Sequence, residues 1–295
     1  MKSILHGWSL EMKKRLLYVA SALLLLLLAW NLRDWWPISP PAASAVNASQ
    51  VKTVQSVRTA FLPNWDQVPL EEMARQAKKY PQQLVLEGAT HRRWVALTFD
   101  DGPSEYTRGL LAILKREQVP ATFYMTAQSM NGREDIVKEV WQAGHELGNH
   151  SFNHPYLSGL EERYWEYQIG PTQEVFRKIV GFAPNTMRPP YGEITDAQIE
   201  DLAKRGIKVV LWSIDSQDWN RNRMLFGANK IARAVQNTAH EEAIVLMHDG
   251  GGRREKTLAA VEALIPWFKA GGYQFVTVSQ MLGLPAQPRY SSAQK

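Results

Sequence analysis

Several side chains that can bind a metal ion or transfer a proton lie close together along this 295-residue sequence. Asp100 and Asp101 are adjacent, and His150 and His154 stand four residues apart. On one helical turn or in a tight loop, two histidines at this spacing can contact the same ion. Two neutral imidazoles and one carboxylate make a site that suits zinc and leaves a position open for water. The sequence has no cysteine, so we predict a metal site built from His and Asp.

The same clusters hold the groups that hydrolysis of a carbonyl compound requires. Two adjacent aspartates that follow one strand point in different directions, so one can bind metal while the other handles a proton. A metal ion lowers the pKa of water toward about 7 and polarises a carbonyl oxygen. Amide hydrolysis also needs a proton donor for the leaving nitrogen. His248 suits this role because an imidazole can hold a proton near neutral pH, and Asp218 is available to orient it.

Seven short apolar runs, which alternate with amphipathic segments, predict the strands that position these groups. The runs are 94–99, 121–125, 145–149, 185–188, 208–213, 243–247 and 273–278. Strands that alternate with helices indicate a parallel α/β fold, and the pattern alone allows either a doubly wound sheet or a barrel. Polar clusters follow five of these runs. Because the carboxyl ends of parallel strands meet at one face, we expect the five clusters to converge there.

The N-terminal region carries a candidate membrane anchor. Residues 16–32 contain no charge and include six consecutive leucines at 23–28, with basic residues at 13–15 before the run and tryptophans at its far end. The run is at the short end of what spans a bilayer, and the positive-inside rule places the N-terminus in the cytoplasm. A cleaved signal peptide that ends near Ala45 is the main alternative, and a buried core helix is the other.

We therefore divide the chain into five parts. They are a cytoplasmic N-terminus (1–15), a transmembrane anchor (16–32), a stalk and N-terminal region of uncertain role (33–91), a catalytic domain (92–282) and a C-terminal tail (283–295). Within the third part, 69–80 has the pattern of a helix. The net charge of +5 is dispersed and accompanies no nucleic-acid-binding motif. We expect no nucleic-acid partner and predict no protein partner.

Five short motifs together resemble those of the polysaccharide deacetylases, the NodB-homology family also called carbohydrate esterase family 4. They occur in the family's order over roughly residues 92–282. They read TFDDGP at 98–103, HSFNHP at 150–155, RPPY at 188–191, DSQDW at 215–219 and LMH at 246–248. The resemblance implies a distorted (β/α)7 barrel. It also implies a divalent cation, Zn²⁺ first and Co²⁺ or Mn²⁺ as alternatives, bound by Asp101, His150 and His154.

The resemblance further implies a role for each remaining site residue. Asp100 would be the general base, held in place by Arg188. The backbone N–H of Tyr191 would help to stabilise the oxyanion. His248 would be the general acid, oriented by Asp218. Three further residues would contact the substrate: Trp219, Leu246 and Pro190.

These expectations combine into a membrane-anchored hydrolase whose catalytic domain lies outside the cytoplasm. Its polysaccharide substrate would be peptidoglycan, deacetylated at N-acetylglucosamine. The anchor would place the catalytic domain near the cell wall, and the basic net charge of the protein suits an anionic wall. Three alternatives stay open at this point. The chain could deacetylate chitooligosaccharides, remove O-acetyl groups from xylan, or bind glycan in the wall without catalysis.

Overall fold

One curled, parallel sheet organises the described part of the chain. The computed structural model describes residues 70–220 and 227–289. Its strands are β1 (Leu84–Val85), β2 (Trp94–Asp100), β3 (Thr122–Met125), β4 (Glu146–Asn149), β5 (Thr186–Met187), β6 (Lys208–Val210), β7 (Ile214–Asp215), β8 (Ala243–His248) and β9 (Gln274–Phe275). The sheet order is β1-β6-β5-β4-β3-β2-β8-β7, and β9 pairs with the first residues of β2. Every one of these ladders is parallel.

Helices connect these strands, as expected for parallel pairing. They are α1 (Leu70–Lys79), α2 (Thr107–Glu117), α3 (Ala127–Met130), α4 (Glu134–Gln142), α5 (Gly170–Val180), α6 (Asp196–Lys204), α7 (Ala228–Gln236), α8 (Glu255–Ala270) and α9 (Val278–Leu282). Local sequence sets several of their ends. Thr195 and Gln198 form a capping box at the start of α6, and Gly181 takes a left-handed conformation at the end of α5.

Side-chain alternation on the two central strands directs polar groups to the interior. β2 and β8 are paired in register over six residues, which sets Asp100 opposite His248. Ala96 on β2 and Ile244 on β8 pack in the interior cluster. Because side chains alternate along a strand, Asp100 and His248 point to the same interior face, four residues further along each strand. The apolar core packs around the earlier residues of these strands, and the polar groups lie at the carboxyl ends of the strands.

Each of the seven predicted runs contains a strand, and two short strands, β1 and β7, are added. The run 273–278 is longer than its strand, because β9 covers only Gln274–Phe275 and α9 begins at Val278. β1 lies within the region whose role the sequence leaves uncertain. The predicted strand at 208–213 ends early because its backbone changes hydrogen-bonding strand. Leu211 N–H donates to Val85 O, at the end of β1, at 2.8 Å, whereas Ser213 N–H donates to Ile244 O, on β8, at 3.1 Å. The sequence pattern treated this stretch as one strand, whereas β6 ends before the change and β7 begins after it.

The sheet curls, as expected for a barrel. Within the described residues, however, parallel strand pairing does not close it into a complete barrel. Between β1 and β8 the pairing is a single antiparallel bridge from Glu87 to Ala243. We therefore describe the fold as a curled parallel α/β half-barrel, consistent with a NodB-like (β/α) architecture.

The predicted anchor, stalk and end of the C-terminal tail are outside the description. Residues 16–32 and 33–69 precede the described ranges, and 290–295 follow them. Within 70–220 and 227–289, no helix is both long enough and apolar enough to cross a membrane. The anchor accordingly stays a prediction from the sequence.

Candidate active site

Each predicted catalytic or metal-binding residue lies at, or just beyond, the carboxyl end of a strand. Asp100 ends β2 and His248 ends β8, while Arg188 follows β5. His150 is the first residue after β4, and Asp218 lies in the loop after β7. The convergence expected from the sequence is thus confirmed: these strand ends surround one cavity of about 210 Å³.

Arg188 fixes the carboxylate of Asp100 from within the core. Its side chain is fully buried and makes hydrogen bonds to four groups. Nε donates to Val210 O at 3.1 Å and Nη2 to Leu211 O at 2.9 Å. Nη1 donates to Thr98 Oγ1 at 2.7 Å and to Asp100 Oδ1 at 2.8 Å. The guanidinium is therefore immobilised by the sheet itself, and one oxygen of Asp100 is held with it.

Asp101, His150 and His154 form the candidate metal centre. Their nearest ligand atoms lie within 4.8 Å of one another. Asp101 Oδ1 is 3.5 Å from His150 Nε2 and 3.4 Å from His154 Nε2. The same oxygen is buried and has no hydrogen-bond partner. A buried carboxylate oxygen without a donor is costly, and a cation bound between it and the two imidazoles would satisfy it.

The tautomer of His150 supports the same assignment. Its Nδ1 lies 2.7 Å from the carbonyl oxygen of Arg188, which can only accept a hydrogen bond. Nδ1 therefore carries a proton, and in the neutral imidazole Nε2 presents a lone pair to Asp101. Burial lowers the pKa of His150, but the charges of Asp100 and Asp101 outweigh this and raise it. A proton or a metal ion must therefore lie between these two acceptors.

His154 is prepared to be a ligand in a different way. Burial, followed by the charge of His150, lowers its pKa to about 4, so the imidazole is neutral at neutral pH. The two histidines sit in a tight loop rather than on a helix. Ser151 and His154 both have positive φ angles, of 70° and 62°, and His154 N–H donates to Ser151 Oγ at 3.1 Å. This loop turns both Nε2 atoms toward Asp101.

His248 and Asp218 form a buried hydrogen-bonded pair across the cavity. His248 Nδ1 donates to Asp218 Oδ1 at 2.7 Å, and Asp218 Oδ2 accepts from His248 N–H at 2.9 Å and from Thr257 Oγ1 at 2.8 Å. Burial lowers the pKa of His248, but the charge and hydrogen bond of Asp218 outweigh it and raise that pKa to about 9. The imidazolium form therefore predominates at neutral pH.

The predicted substrate-contacting residues divide into two groups. Trp219 and Leu246 line the cavity, and so does Tyr191, whose predicted role is to stabilise the oxyanion. Pro190 does not: it begins the one-turn 3-10 segment Pro190–Gly192 and is buried there. Pro189, which enters that turn in an extended conformation, lines the cavity instead. The turn directs the second proline into the fold, so the structure places Pro189, one residue before the predicted Pro190, at this wall of the cavity.

Two cavity residues that the sequence did not predict pack against the predicted ones. Gly251 has a φ of 70°, and a Cβ built there would lie 2.4 Å from Asp101 Oδ2, so only glycine fits without a shift. Arg254 is buried and donates from Nε to Gly250 O at 2.6 Å and from Nη1 to Asp218 O at 3.3 Å. The glycine run at 250–252, which begins two residues after His248, was a signal for close backbone approach, whereas no local sequence pattern indicated Arg254.

Comparison with known proteins places this site in a family. A family model described as polysaccharide deacetylase matches residues 87–210. A peptidoglycan-N-acetylglucosamine deacetylase of Bacillus cereus is 35% identical over 196 residues, which cover 66% of this chain and 70% of that protein. The chain belongs to the polysaccharide deacetylase family.

Similarity to further deacetylases supports this assignment. The PgdA peptidoglycan-N-acetylglucosamine deacetylase of Listeria monocytogenes is 32% identical over 269 residues, which cover 87% of this chain and 52% of that protein. This chain therefore matches about half the length of the Listeria protein. A crystal structure of a peptidoglycan N-acetylglucosamine deacetylase with a bound N-hydroxybenzamide derivative superposes with a TM-score of 0.68 at 32% identity, and covers 72% of this chain and 98% of that one.

Proposed function

We propose that this chain is a metal-dependent hydrolase that removes N-acetyl groups from N-acetylglucosamine residues of a polysaccharide outside the cytoplasm, with peptidoglycan as the substrate. One observation carries the proposal. A buried carboxylate held by an arginine, an Asp-His-His cluster and a protonated histidine held by an aspartate all face the same cavity. These are the groups required to activate water, to bind a divalent cation and to protonate a leaving nitrogen.

Asp100 is the general base of this proposal. Arg188 holds one of its oxygens, and the other lies 3.7 Å from His150 Nε2, at the edge of the candidate metal centre. In this position Asp100 can take a proton from a water molecule that attacks the acetamido carbonyl. The buried hydrogen bond from Arg188 fixes the direction of the carboxylate.

Asp101, His150 and His154 would hold the cation, and Zn²⁺ fits two imidazole nitrogens and one carboxylate oxygen. When it is bound, a divalent cation supplies a Lewis acid that polarises the substrate carbonyl and makes water more acidic. The unpartnered Asp101 Oδ1 and the Nε2 lone pair of His150 support this assignment. Neither feature selects Zn²⁺ over Co²⁺ or Mn²⁺.

His248 completes the reaction as the general acid. Nδ1 is occupied by Asp218, so the proton on Nε2 is the one available to the amide nitrogen as the C–N bond breaks, which releases acetate and a free amine. The backbone N–H of Tyr191 is proposed to stabilise the oxyanion. Tyr191 has a φ of 60°, and this left-handed conformation turns the backbone of the cavity rim sharply at that residue.

Two arguments support peptidoglycan as the substrate. The relatives compared above are named peptidoglycan-N-acetylglucosamine deacetylases. The predicted anchor at 16–32 would also hold the catalytic domain outside the membrane, beside the wall. The localisation in this proposal rests on that sequence prediction.

The test is acetate release by the full-length chain from peptidoglycan, from chitooligosaccharides and from acetylated xylan, each with Zn²⁺ and with a chelator. We expect Zn²⁺-dependent release from peptidoglycan at the highest rate, and sugar analysis of the product should locate the free amine on glucosamine. A higher rate on chitooligosaccharides or on xylan would reassign the substrate. Binding to wall material with no release from any substrate would favour a non-catalytic glycan-binding protein.

A further inference from the structure

Two stacked tyrosines extend the catalytic cavity onto the protein surface. The rings of Tyr156 and Tyr191 are nearly parallel, with 4.1 Å between centroids and 17° between planes. Tyr191 lines the cavity, and its ring meets that of His154 edge to face at 4.6 Å. Tyr156 is thus separated from a candidate metal ligand by one aromatic ring.

Tyr156 is exposed although it is large and apolar. It retains 46% of its accessible surface, and it is one of three large hydrophobic residues that are exposed in the described ranges; the others are Phe152 and Tyr167. One face of its ring packs on Tyr191, so its exposure is concentrated on the rest of the ring. An apolar surface at the rim of a binding cavity is a common feature of ligand sites.

The loop that carries Tyr156 is held in place by the two residues that follow the tyrosine. The next residue, Leu157, is fully buried, and its carbonyl accepts a hydrogen bond from Gln198 Nε2 at 2.8 Å. Ser158 Oγ donates to Glu193, which follows the turn that contains Tyr191. The ring is therefore presented on a fixed backbone, so binding to it would cost little ordering entropy.

We propose that Tyr156 is a stacking platform for a second sugar of the polysaccharide, next to the residue that is deacetylated. A pyranose ring carries C–H groups on its faces, and these pack against the face of an aromatic ring. A sugar whose acetamido group is in the cavity continues along the glycan chain, and the Tyr191–Tyr156 stack offers an aromatic path from the cavity to the surface. This inference rests on the proposed function, because it assigns a subsite to the same catalytic centre.

The platform makes activity depend on the length of the substrate. A monosaccharide fills the cavity without contacting Tyr156, whereas a longer oligosaccharide reaches it. A contact with a remote sugar can stabilise the ground state and the transition state by the same amount. Such a contact lowers KM and leaves kcat unchanged. The predicted signature is therefore a change in KM that appears only with longer substrates.

The experiment compares kcat and KM of the full-length, Zn²⁺-loaded chain on N-acetylglucosamine oligomers, from the monosaccharide to the hexasaccharide. The variants are Tyr156→Ala, Tyr156→Phe and, as a matched control, Tyr167→Ala, which removes a similarly exposed tyrosine outside the cavity lining. We expect Tyr156→Ala to raise KM about 3- to 10-fold on the longest oligomers and to leave the shortest substrate unaffected. Tyr156→Phe and Tyr167→Ala should match the wild type.

The outcomes separate this inference from the proposed function. If the wild type releases no acetate from any oligomer or from peptidoglycan, the proposed function itself fails. If the wild type is active and Tyr156→Ala leaves KM unchanged at every length, or lowers kcat equally at every length, the platform is refuted. Tyr156→Gln replaces the alanine variant if thermal unfolding shows that the latter does not fold.

Discussion

Asp100 and Asp101 are neighbours in sequence, but the backbone between them gives their carboxylates different main partners. Asp100 is the last residue of an extended strand, while Asp101 has a φ of 71°. The reversal points the first carboxylate to Arg188 and the second to His150 and His154. The sequence alone predicted that the pair would diverge, because side chains alternate along a strand. It did not predict the left-handed conformation at Asp101.

The two carboxylates should respond differently when each becomes an amide. Asp101→Asn removes the ionised oxygen that faces both Nε2 atoms. We expect Zn²⁺ binding to weaken by more than the roughly 10- to 100-fold that is typical when a residue that only supports a metal ligand is lost. Asp100→Asn leaves the three candidate ligands intact and should bind Zn²⁺ with nearly wild-type affinity. Calorimetric titration of chelator-stripped protein measures both constants. Equal weakening in the two variants would contradict the division of roles.

The pH dependence of activity should report the His248–Asp218 pair. In the proposed mechanism the acid form of His248 is the active one. Its pKa is raised to about 9, so this form persists through neutral pH and is lost as pH rises through that value. We expect a basic limb in kcat at or below pH 9, because a bound cation nearby would lower the pKa. In Asp218→Asn the limb should move to lower pH, since Asp218 raises the pKa. An unchanged limb in that variant would exclude this pair as its source.

The eight residues predicted to act in catalysis or metal binding all lie at the cavity, whereas one residue predicted for its wall does not. Each of the eight lines the cavity or contacts a residue that does. Pro190 lies outside the lining because the direction of a turn depends on its φ and ψ angles, which the letters RPPY do not specify. Arg254 was missed because its two acceptors, Gly250 O and Asp218 O, are backbone atoms.

At the scale of elements, Arg188 ties the sheet together. It follows β5, and its hydrogen bonds reach β2 and the stretch at the end of β6. Its guanidinium also lies over the ring of Tyr124 on β3, at 4.3 Å from the centroid. A residue predicted only to orient the base therefore also contributes to the fold.

Replacement of Arg188 should destabilise the protein as well as inactivate it. Arg188→Met leaves the buried Asp100 carboxylate and two backbone carbonyls without a donor, and we expect a loss of about 3–5 kcal/mol in the free energy of unfolding. Arg177→Met is the control: its guanidinium is half exposed and pairs with Glu174, so its removal should change stability by less than about 1 kcal/mol. Urea unfolding of chelated full-length protein compares them, and equal losses would contradict this role.

The sequence predicted the strands that lie in clear apolar runs and missed two short ones. Six-residue and seven-residue strands such as β8 and β2 have a clear apolar pattern, and the two-residue strands β5 and β9 lie within longer predicted runs. β1 and β7 also have two residues each, but both lie outside the predicted runs. The choice between a barrel and a doubly wound sheet could not be made from alternation, because both have the same local pattern; it depends on long-range pairings such as that of β2 with β8.

At the scale of the whole molecule, the predicted anchor can be tested independently of catalysis. The apolar run at 16–32, with basic residues before it, should hold the full-length chain in the membrane fraction through salt and alkaline extraction. Deletion of residues 1–36 should release it. A retained anchor also predicts that blocking the Ala45 position leaves the mass unchanged on a blot of cells. A larger mass in that variant would show instead that the segment is a cleaved signal peptide.

Metal-dependent acetate release tests the central claim most directly. The full-length chain would be assayed on peptidoglycan as the Zn²⁺-loaded wild type, after chelation, after Zn²⁺ is restored, and as Zn²⁺-loaded Asp100→Asn. We predict activity in the first and third samples, none after chelation, and a loss of about 10²- to 10⁴-fold in the variant. Undiminished release from the chelated protein, or from Asp100→Asn, would contradict a mechanism in which this carboxylate and a divalent cation act together.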